Sequence, residues 1–446
     1  MSKKQNLLFE ASILGNICSK NPGRSGIFFV AYNILREMDR LNAFNITLDL
    51  GCTHVSIGKL FRTDTYLKRF SHINIDKKQF YLSMIDKYKK QIPVLLANIT
   101  IINLLKSIKR CLLITKWKIE QLFVRDESAC NNTVANTQVY FSPMGIIPDK
   151  IKKSKHIKCF ICLHDLIPVL FPEYFPILHH GEDVLKEYAD GVNLNKEYYY
   201  FCVSEYTKND FLRFYSQILN KDNLFVTHIA SAQKFMPLND TAKLAQVLDK
   251  YSVRKKTKYV FSLCTLAPRK NLLFTIKCFF KFIIKHDIQD FYFYLGGGQW
   301  NDFNPQLKKQ INEYEEYRDK IIRLGYVDDE DVNILLSHSL FFTYISQYEG
   351  FGMPPLEAMQ AGTPVITSNN SSLPEVVGDA AIMIDCDSEE QCIKAFEDLY
   401  FNSELRESYI QKGIERAKLF SFEKTANNMA NVILNVLGND FGVREK

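Results

Sequence analysis

The sequence predicts an α/β protein of two Rossmann-like, doubly wound domains that face each other across a cleft. The chain has 446 residues, which is too many for one hydrophobic core. Strand-like and helix-like apolar patterns alternate along it, as they do in parallel sheets. A polar stretch at 239–258 separates two such runs. We therefore predict an N-terminal domain at 1–240, a C-terminal domain at 241–425, and a final helix in 426–446 that could cross back to the first domain.

Apolar periodicity and turn residues define the predicted elements. In the N-terminal half we predict strands at 7–14, 158–163 and 198–203, a loop at 15–25, and helices at 27–38 and 208–216. In the C-terminal half we predict strands at 259–264, 291–295, 321–324, 340–344, 364–367 and 381–384, and helices at 271–285, 332–337, 356–360 and 422–437. Ligands of such sheets bind beyond the carboxyl ends of the strands, so functional residues are expected there.

The composition is that of a soluble globular protein, with 46% hydrophobic and 24% charged residues. The apolar start at Leu7 runs into Glu10, too early for a secretory signal, and the run 92–105 is too short to cross a bilayer. We therefore expect a cytoplasmic protein. Cys159 and Cys162 form a C-x-x-C pair, but they lie within a predicted strand and lack a second pair to complete a zinc site.

Positive charge is concentrated in one segment. The chain carries a net charge of +6, and residues 59–125 contain fifteen Lys or Arg against four Asp or Glu. Aromatic and aliphatic residues alternate with these cations, but no motif that reads nucleic acid accompanies them. A peripheral contact with anionic lipid on the inner membrane face is one interpretation, and a solvated face over an ordinary core is the other.

The strongest local signal is the segment 349–358, which follows a predicted strand and opens a helix. Its glycines allow close approach of the backbone to a ligand, and its prolines suit a first helical turn. The exposed amides of such a helix start form an anion site. Glu349 precedes the helix and Glu357 lies one turn inside it, so both carboxylates could face one pocket. Alternatively, Glu357 only complements the helix dipole.

A second signal is the turn 268–271, between a predicted strand and a helix. It places Arg269 and Lys270 side by side at the carboxyl end of the strand. Two adjacent cations there are suited to clamping a diphosphate, although a solvated turn is an equal alternative.

These segments together resemble the retaining glycosyltransferases with the GT-B fold, the group of glycogen synthase and bacterial mannosyltransferases (family four). The resemblance covers about 259–421 and rests on Glu349 and Glu357, the turn 268–271, and the runs 362–366 and 372–381. Ala267 departs from the family, which usually has an acid there.

The N-terminal half is similar to the family more loosely. The segment 24–27, with Gly26, looks like the first glycine loop, and the segment 203–208 is also similar. His164 follows a strand as the family's sugar-contacting histidine does, but could equally be a hydrogen-bonded, partly buried histidine. The segment 227–231 replaces the family's Asn-Gly, which leaves any role for that loop in doubt.

The resemblance implies a role for each of these residues. Arg269 and Lys270 would neutralise the diphosphate leaving group, assisted by backbone groups near Phe351 and Gly352. Glu349 would contact sugar hydroxyls, and Glu357 would hold the ribose diol. A front-face displacement that retains configuration is implied, without a cofactor.

The acidic run 328–331 invites interpretation as a metal site. Because it precedes a predicted helix, we interpret Asp328 as a helix N-cap followed by acids in the first turn. We therefore expect no metal, and activity that resists a chelator.

The resulting hypothesis is a hexosyltransferase, using GDP-mannose as donor and a glycan or lipid-linked glycan as acceptor in cell-surface polysaccharide synthesis. The alternatives are a UDP-sugar-dependent glycosyltransferase, a UDP-sugar epimerase of the same fold, and a catalytically silent glycan-binding scaffold. The intact charges of Arg269, Lys270, Glu349 and Glu357 argue against the scaffold.

Overall fold

Two parallel β-sheets, each covered by helices, organise the chain. The structure is a computed structural model that describes residues 4–14, 26–49, 66–73, 127–174, 184–231, 235–253, 258–298 and 304–438. The α/β fold class is therefore confirmed.

The first sheet has seven parallel strands in the order β3-β2-β1-β4-β5-β6-β7. The strands are β1 (Gln5–Glu10), β2 (Phe44–Asp49), β3 (Ser71–Ile73), β4 (Val139–Ser142), β5 (Lys158–Leu163), β6 (Tyr199–Cys202) and β7 (Leu224–Val226). The helices of this half are α1 (Gly26–Leu41), α2 (Glu127–Ala135), α3 (Asp149–Lys152), α4 (Ile167–Leu170), α5 (Val184–Gly191) and α6 (Glu205–Tyr215).

The second sheet has six parallel strands in the order β10-β9-β8-β11-β12-β13. The strands are β8 (Tyr259–Leu263), β9 (Tyr292–Gly296), β10 (Ile321–Gly325), β11 (Phe341–Tyr344), β12 (Val365–Ser368) and β13 (Ile382–Ile384). The helices are α7 (Thr241–Lys250), α8 (Leu272–Lys285), α9 (Asn304–Asn312), α10 (Asp329–Ser337), α11 (Met353–Gln360), α12 (Leu373–Val377), α13 (Glu389–Phe401), α14 (Ser403–Ala417) and α15 (Phe422–Val436).

The strand order places one switch point in each sheet. Strand order reverses between β1 and β4 in the first sheet and between β8 and β11 in the second. In open parallel sheets the crevice for a ligand lies beyond the carboxyl ends of the strands at this point. The chain that follows β8 and β11 is therefore where a ligand of the second half is expected.

The last helix belongs in space to both halves. Helix α15 follows the second sheet in sequence but packs against α1 of the first half. The hydroxyl of Thr425 on α15 also donates to the carbonyl of His228, 2.7 Å away. The domain boundaries at 240 and 425 stay a prediction.

The polar stretch 239–258 contains a helix that the apolar pattern did not predict. This is the capped helix α7, whose Leu244, Val247 and Leu248 are buried. Asp240 caps this helix by accepting from the amide of Lys243 at 2.8 Å.

Some predictions fall outside the described residues. They include the loop 15–25, with Arg24 and Ser25, and all of the basic segment 59–125 except 66–73. Among the helices that the structure describes, none is long and apolar enough to span a membrane.

Candidate active site between the two sheets

A cavity of about 370 Å³ lies between the two halves. Its lining from the second half follows β8 and β11, at the switch point of that sheet: Cys264, Thr265, Arg269, Lys270, Tyr344, and residues 349–354. Its lining from the first half is Ile27, Val30, His164, Asp165, Val203 and Ile229. The structure therefore brings Arg269, Lys270, Glu349, Phe351, Gly352 and His164 to one cavity. Gly26 begins α1 immediately before Ile27.

Glu349 joins the two cations of the turn 268–271 to the loop after β11. Its Oε1 accepts from Arg269 Nη1 at 2.9 Å, from Lys270 Nζ, and from the hydroxyls of Tyr344 and Ser346 at 3.0 and 2.6 Å. Arg269 also donates to the carbonyl of Tyr348 at 2.9 Å. The cations are thus held in place by buried partners rather than extended into solvent.

Charge in this cluster favours an anion in the cavity. Burial opposes ionisation of Glu349, but the charges of Lys270 and Arg269 outweigh it and hold the pKa of Glu349 below its ordinary value. One carboxylate faces two cations, so the cluster presents an excess positive charge when Lys270 is protonated. Positive charge held in a water-poor site stabilises a leaving diphosphate more strongly than it would in water.

Residues 349–353, which we call the cavity loop, add backbone donors. Leu356 donates to the carbonyl of Gly352 and so begins α11. No described residue accepts from the amides of Phe351, Gly352 or Met353. Amides at a helix start, next to the positive end of the helix dipole, bind phosphate oxygens.

Two glycines make the cavity loop possible. Gly352 has a φ of +125°, which side chains rarely tolerate. At Gly350, a Cβ would lie 2.0 Å from the carbonyl oxygen of His164 in the other half. A side chain there would therefore force the two halves apart.

His164 and Asp165 line the cavity after β5. The Nε2 of His164 lies 2.7 Å from the carbonyl oxygen of Pro143, which can only accept, so Nε2 carries a proton and Nδ1 is the acceptor of the neutral ring. Burial lowers the pKa of His164. Burial also raises the pKa of Asp165, against the opposing amide of Ile167 and the charges of His164 and Arg269.

Glu357 is placed differently from Glu349. It is not among the residues that line this cavity, so its place at the donor stays a prediction. Burial and the nearby carboxylate of Asp329 raise the pKa of Glu357 to about 8, although the hydroxyl of Ser231 opposes this. The helical spacing turns Glu357 towards α10, one turn away from the diphosphate end.

A second hollow of about 330 Å³ lies beyond the ends of β8, β9 and β10. Leu266, Leu295, Gly297, Arg323, Leu324 and Gly325 line it. Leu266 lies in the same connection after β8 as Thr265 and Arg269, so the hollow is next to the cavity along the chain.

The acidic run 328–331 begins a helix, as predicted. Asp328 is the N-cap residue of α10, although it makes no side-chain capping bond. Its carboxylate and that of Asp331 both pair with Lys250, each at 2.6 Å. Among the described residues, the one group of side chains close enough to share a metal ion is Asp385, Cys386 and Asp387, and none of them lines the cavity.

Several residues of the site carry no recognisable signal in the sequence. Asp165 stood beside the selected His164, and Tyr344 and Ser346 belong to a strand end and a loop without a motif. Ser204, Thr207, Ser372 and Glu375 lie in segments that were noted, but no pattern signalled their contacts. Ser204 and Thr207 bond the carbonyl of Gly350 from α6, at 2.7 and 3.0 Å.

The fold and this site define a class of protein, and comparison with known proteins agrees. Residues 246–416 match the family model described as "Glycosyl transferases group 1". The chain has the GT-B fold, and its residues 246–416 are similar to glycosyltransferases of the family-four type.

Two of its relatives are mannosyltransferases, one of O-antigen chains and one serotype-specific. O-antigen chain mannosyltransferase B of Escherichia coli is 28% identical over 66% of this chain and 73% of its own length. The serotype-specific mannosyltransferase WbdA of the same organism is 29% identical over 49% of this chain, and the match spans only 26% of WbdA.

A solved structure shares the fold. Anabaena Alr3699/HepE, in complex with UDP and glucose, superimposes with a TM-score of 0.65 over 97% of this chain and 100% of HepE, at 13% identity. This likeness supports the two-sheet architecture.

Proposed function

We propose that the chain is a retaining glycosyltransferase that transfers mannose from GDP-mannose to a glycan or lipid-linked glycan. The observation that carries the proposal is the cavity in which Arg269, Lys270 and three amides face His164 and Asp165 across the two halves. The mannosyltransferase relatives support mannose as the sugar. We include in the proposal that this transfer takes place on the cytoplasmic side and contributes to the synthesis of cell-surface polysaccharide.

The proposed mechanism begins with the leaving group. Arg269, Lys270 and the amides of the cavity loop stabilise the negative charge that develops on the diphosphate as the glycosidic bond breaks. This is the interaction that strengthens between ground state and transition state, so it accelerates the reaction.

Glu349 is poorly suited to act as a nucleophile, because four donors already share its Oε1. We therefore favour displacement on the face of the leaving group, with a leaving phosphate oxygen taking the proton of the acceptor hydroxyl. His164 and Asp165 would position sugar hydroxyls. Gly26 would lie across the phosphates and acceptor.

The rest of the donor would extend away from the diphosphate. Glu357 would hold the ribose diol, and the second hollow near Arg323 offers room for a base. A UDP-sugar is the second candidate donor, because the HepE structure contains UDP and glucose.

The test is a transfer assay with purified protein, GDP-mannose or UDP-glucose, and synthetic lipid-pyrophosphate glycans. We expect α-mannoside from the α-linked donor, with equal rates when EDTA is present. A β-linked product would contradict retention, and loss of activity with EDTA would contradict metal independence.

The same assay separates the alternatives. Transfer from UDP-glucose but not from GDP-mannose would show that the donor is a UDP-sugar. Release of free or epimerised sugar without an acceptor would indicate an epimerase, and absence of any nucleotide binding would indicate a scaffold.

A further inference from the structure

Hydroxyl groups from both halves hold the carbonyls of the cavity loop. From the second half, Ser372 donates towards the carbonyl oxygens of Phe351 and Glu349, at 2.5 and 2.9 Å. From the first half, Ser204 and Thr207 donate to the carbonyl of Gly350, at 2.7 and 3.0 Å. All of these hydroxyls are buried.

These contacts determine where the amides point. In a trans peptide the carbonyl of one residue and the amide of the next point in opposite directions, and the described residues contain no cis peptide. A Gly350 carbonyl directed at α6 therefore directs the Phe351 amide away from α6. Phe351 lines the cavity, and its amide has no acceptor among the described residues.

We propose that Ser204 and Thr207 are positioning residues that orient the Phe351 amide towards the donor diphosphate, so that the diphosphate site is complete only when the two halves are together. The inference rests on the proposed function. Residues of the first half would thereby orient a group in a sugar-donor site that the second half forms.

Other contacts keep α6 against the second half. The carboxylate of Glu375 accepts from the first amides of α6, those of Glu205 and Tyr206, at 2.8 and 3.3 Å. The hydroxyl of Tyr348 donates to Asp210 on the same helix at 2.7 Å. Helix α6 is thus fixed at its start and along its length, which is what a positioning element requires.

Thr207→Val provides the test, because it removes one hydroxyl with little change in volume and leaves the Ser204 cap of α6 intact. Thr363→Val is the matched control: its hydroxyl is equally buried and donates to the Leu336 carbonyl at 2.7 Å, away from the cavity. Thr207→Ser retains the hydroxyl. If Thr207→Val does not fold, Thr207→Ala removes the hydroxyl without overpacking.

GDP and UDP are titrated into each protein by calorimetry, with Tm measured in parallel. We expect Kd of the bound nucleotide to rise roughly tenfold in Thr207→Val, as for loss of one oriented hydrogen bond. It should stay at the wild-type value in Thr363→Val and return towards it in Thr207→Ser.

Wild-type affinity in Thr207→Val, or an equal loss in Thr363→Val, would overturn the inference while leaving the proposed function intact. Failure of the wild-type protein to bind either nucleotide would instead overturn the proposed function, and the inference with it.

Discussion

Arg269 is the more exposed of the two cations that pair with Glu349 and line the cavity. Its side chain is 16% exposed, whereas that of Lys270 is 6% exposed. Removing Lys270 would leave a buried carboxylate with one partner fewer, which costs stability as well as function. Arg269 therefore offers the cleaner test of the diphosphate clamp.

We expect Arg269→Ala to weaken donor binding by about 10- to 100-fold, the usual cost of a charged hydrogen bond. Calorimetry with GDP and UDP measures it. Lys281→Ala is the control, because Lys281 pairs with Glu389 on the surface of the same half. Equal affinities in wild type and Arg269→Ala would refute the clamp.

Glu357 provides a test that depends on pH. Its pKa is raised from 4.5 to about 8, so the folded state favours the protonated acid. A raised carboxyl pKa stabilises the fold fully below the ordinary value, and this stabilisation is lost as pH rises through the folded pKa. Glutamine imitates the protonated acid at every pH.

We therefore expect Glu357→Gln to be more stable than wild type by on the order of 2 kcal/mol at about pH 9, and equally stable at about pH 4. Chemical denaturation at both values measures it, with the exposed Glu330→Gln as control. A Glu357→Gln protein that is less stable at high pH would show that the carboxylate, not the acid, fits this position.

Among single residues, the sequence predicted those that are both charged and placed directly after a predicted strand. Arg269, Lys270 and Glu349 stand out because charged residues follow predicted strands, and they meet in the structure. The separation of Glu357 from the cavity could not be predicted, because it depends on the direction in which α11 leaves the loop. Asp165 could not be selected from the sequence, because only its burial in the folded protein distinguishes it.

The cavity loop is an element at which the two halves approach each other closely. Its Gly350 has no room for a side chain against the His164 carbonyl. The cavity loop must therefore move if a side chain is introduced at Gly350, and the backbone amides that we assign to the diphosphate move with it.

We expect Gly350→Ala to reduce kcat/KM by about 100-fold or more, because displacements of the order of 1 Å in a reacting geometry have that effect. Gly191→Ala is the control, since a Cβ at Gly191 meets nothing within 4 Å. Wild-type kinetics in Gly350→Ala would mean that the halves do not approach as described.

Most elements of the second half were predicted because its strands are continuous apolar runs with glycine or proline at their ends. Helix α7 was missed because five of its ten residues are polar and it lies within a polar stretch, so that only packing against α10 reveals its apolar face. Strand β2 mixes polar with apolar residues, and β7 has only 3 residues, so their pairing partners define them.

The whole molecule depends on contacts that cross between the halves. Glu375 accepts from the first amides of α6, and its Oε1 lies 2.5 Å from Nε2 of His228. Burial alone would raise the pKa of Glu375, but these hydrogen bonds outweigh it and hold the pKa below its ordinary value. We interpret this carboxylate as the main polar connection between α12 and the first half.

We expect Glu375→Ala to lower stability by about 1–2 kcal/mol, the cost of an N-cap. It should also enlarge the radius of gyration measured by X-ray scattering without nucleotide. Glu407→Ala is the control, because Glu407 is exposed and accepts from Gln411 on the same helix, α14. An unchanged scattering profile would show that the remaining contacts suffice.

The central claim is that the cavity between the two sheets binds a nucleoside diphosphate through the Arg269–Lys270 turn and the cavity loop. The most direct measurement is calorimetric titration of GDP, UDP and ADP into the purified wild-type protein. We predict saturable binding with a preference for GDP. Absence of binding by all three nucleotides would contradict the claim and leave a fold without its proposed donor.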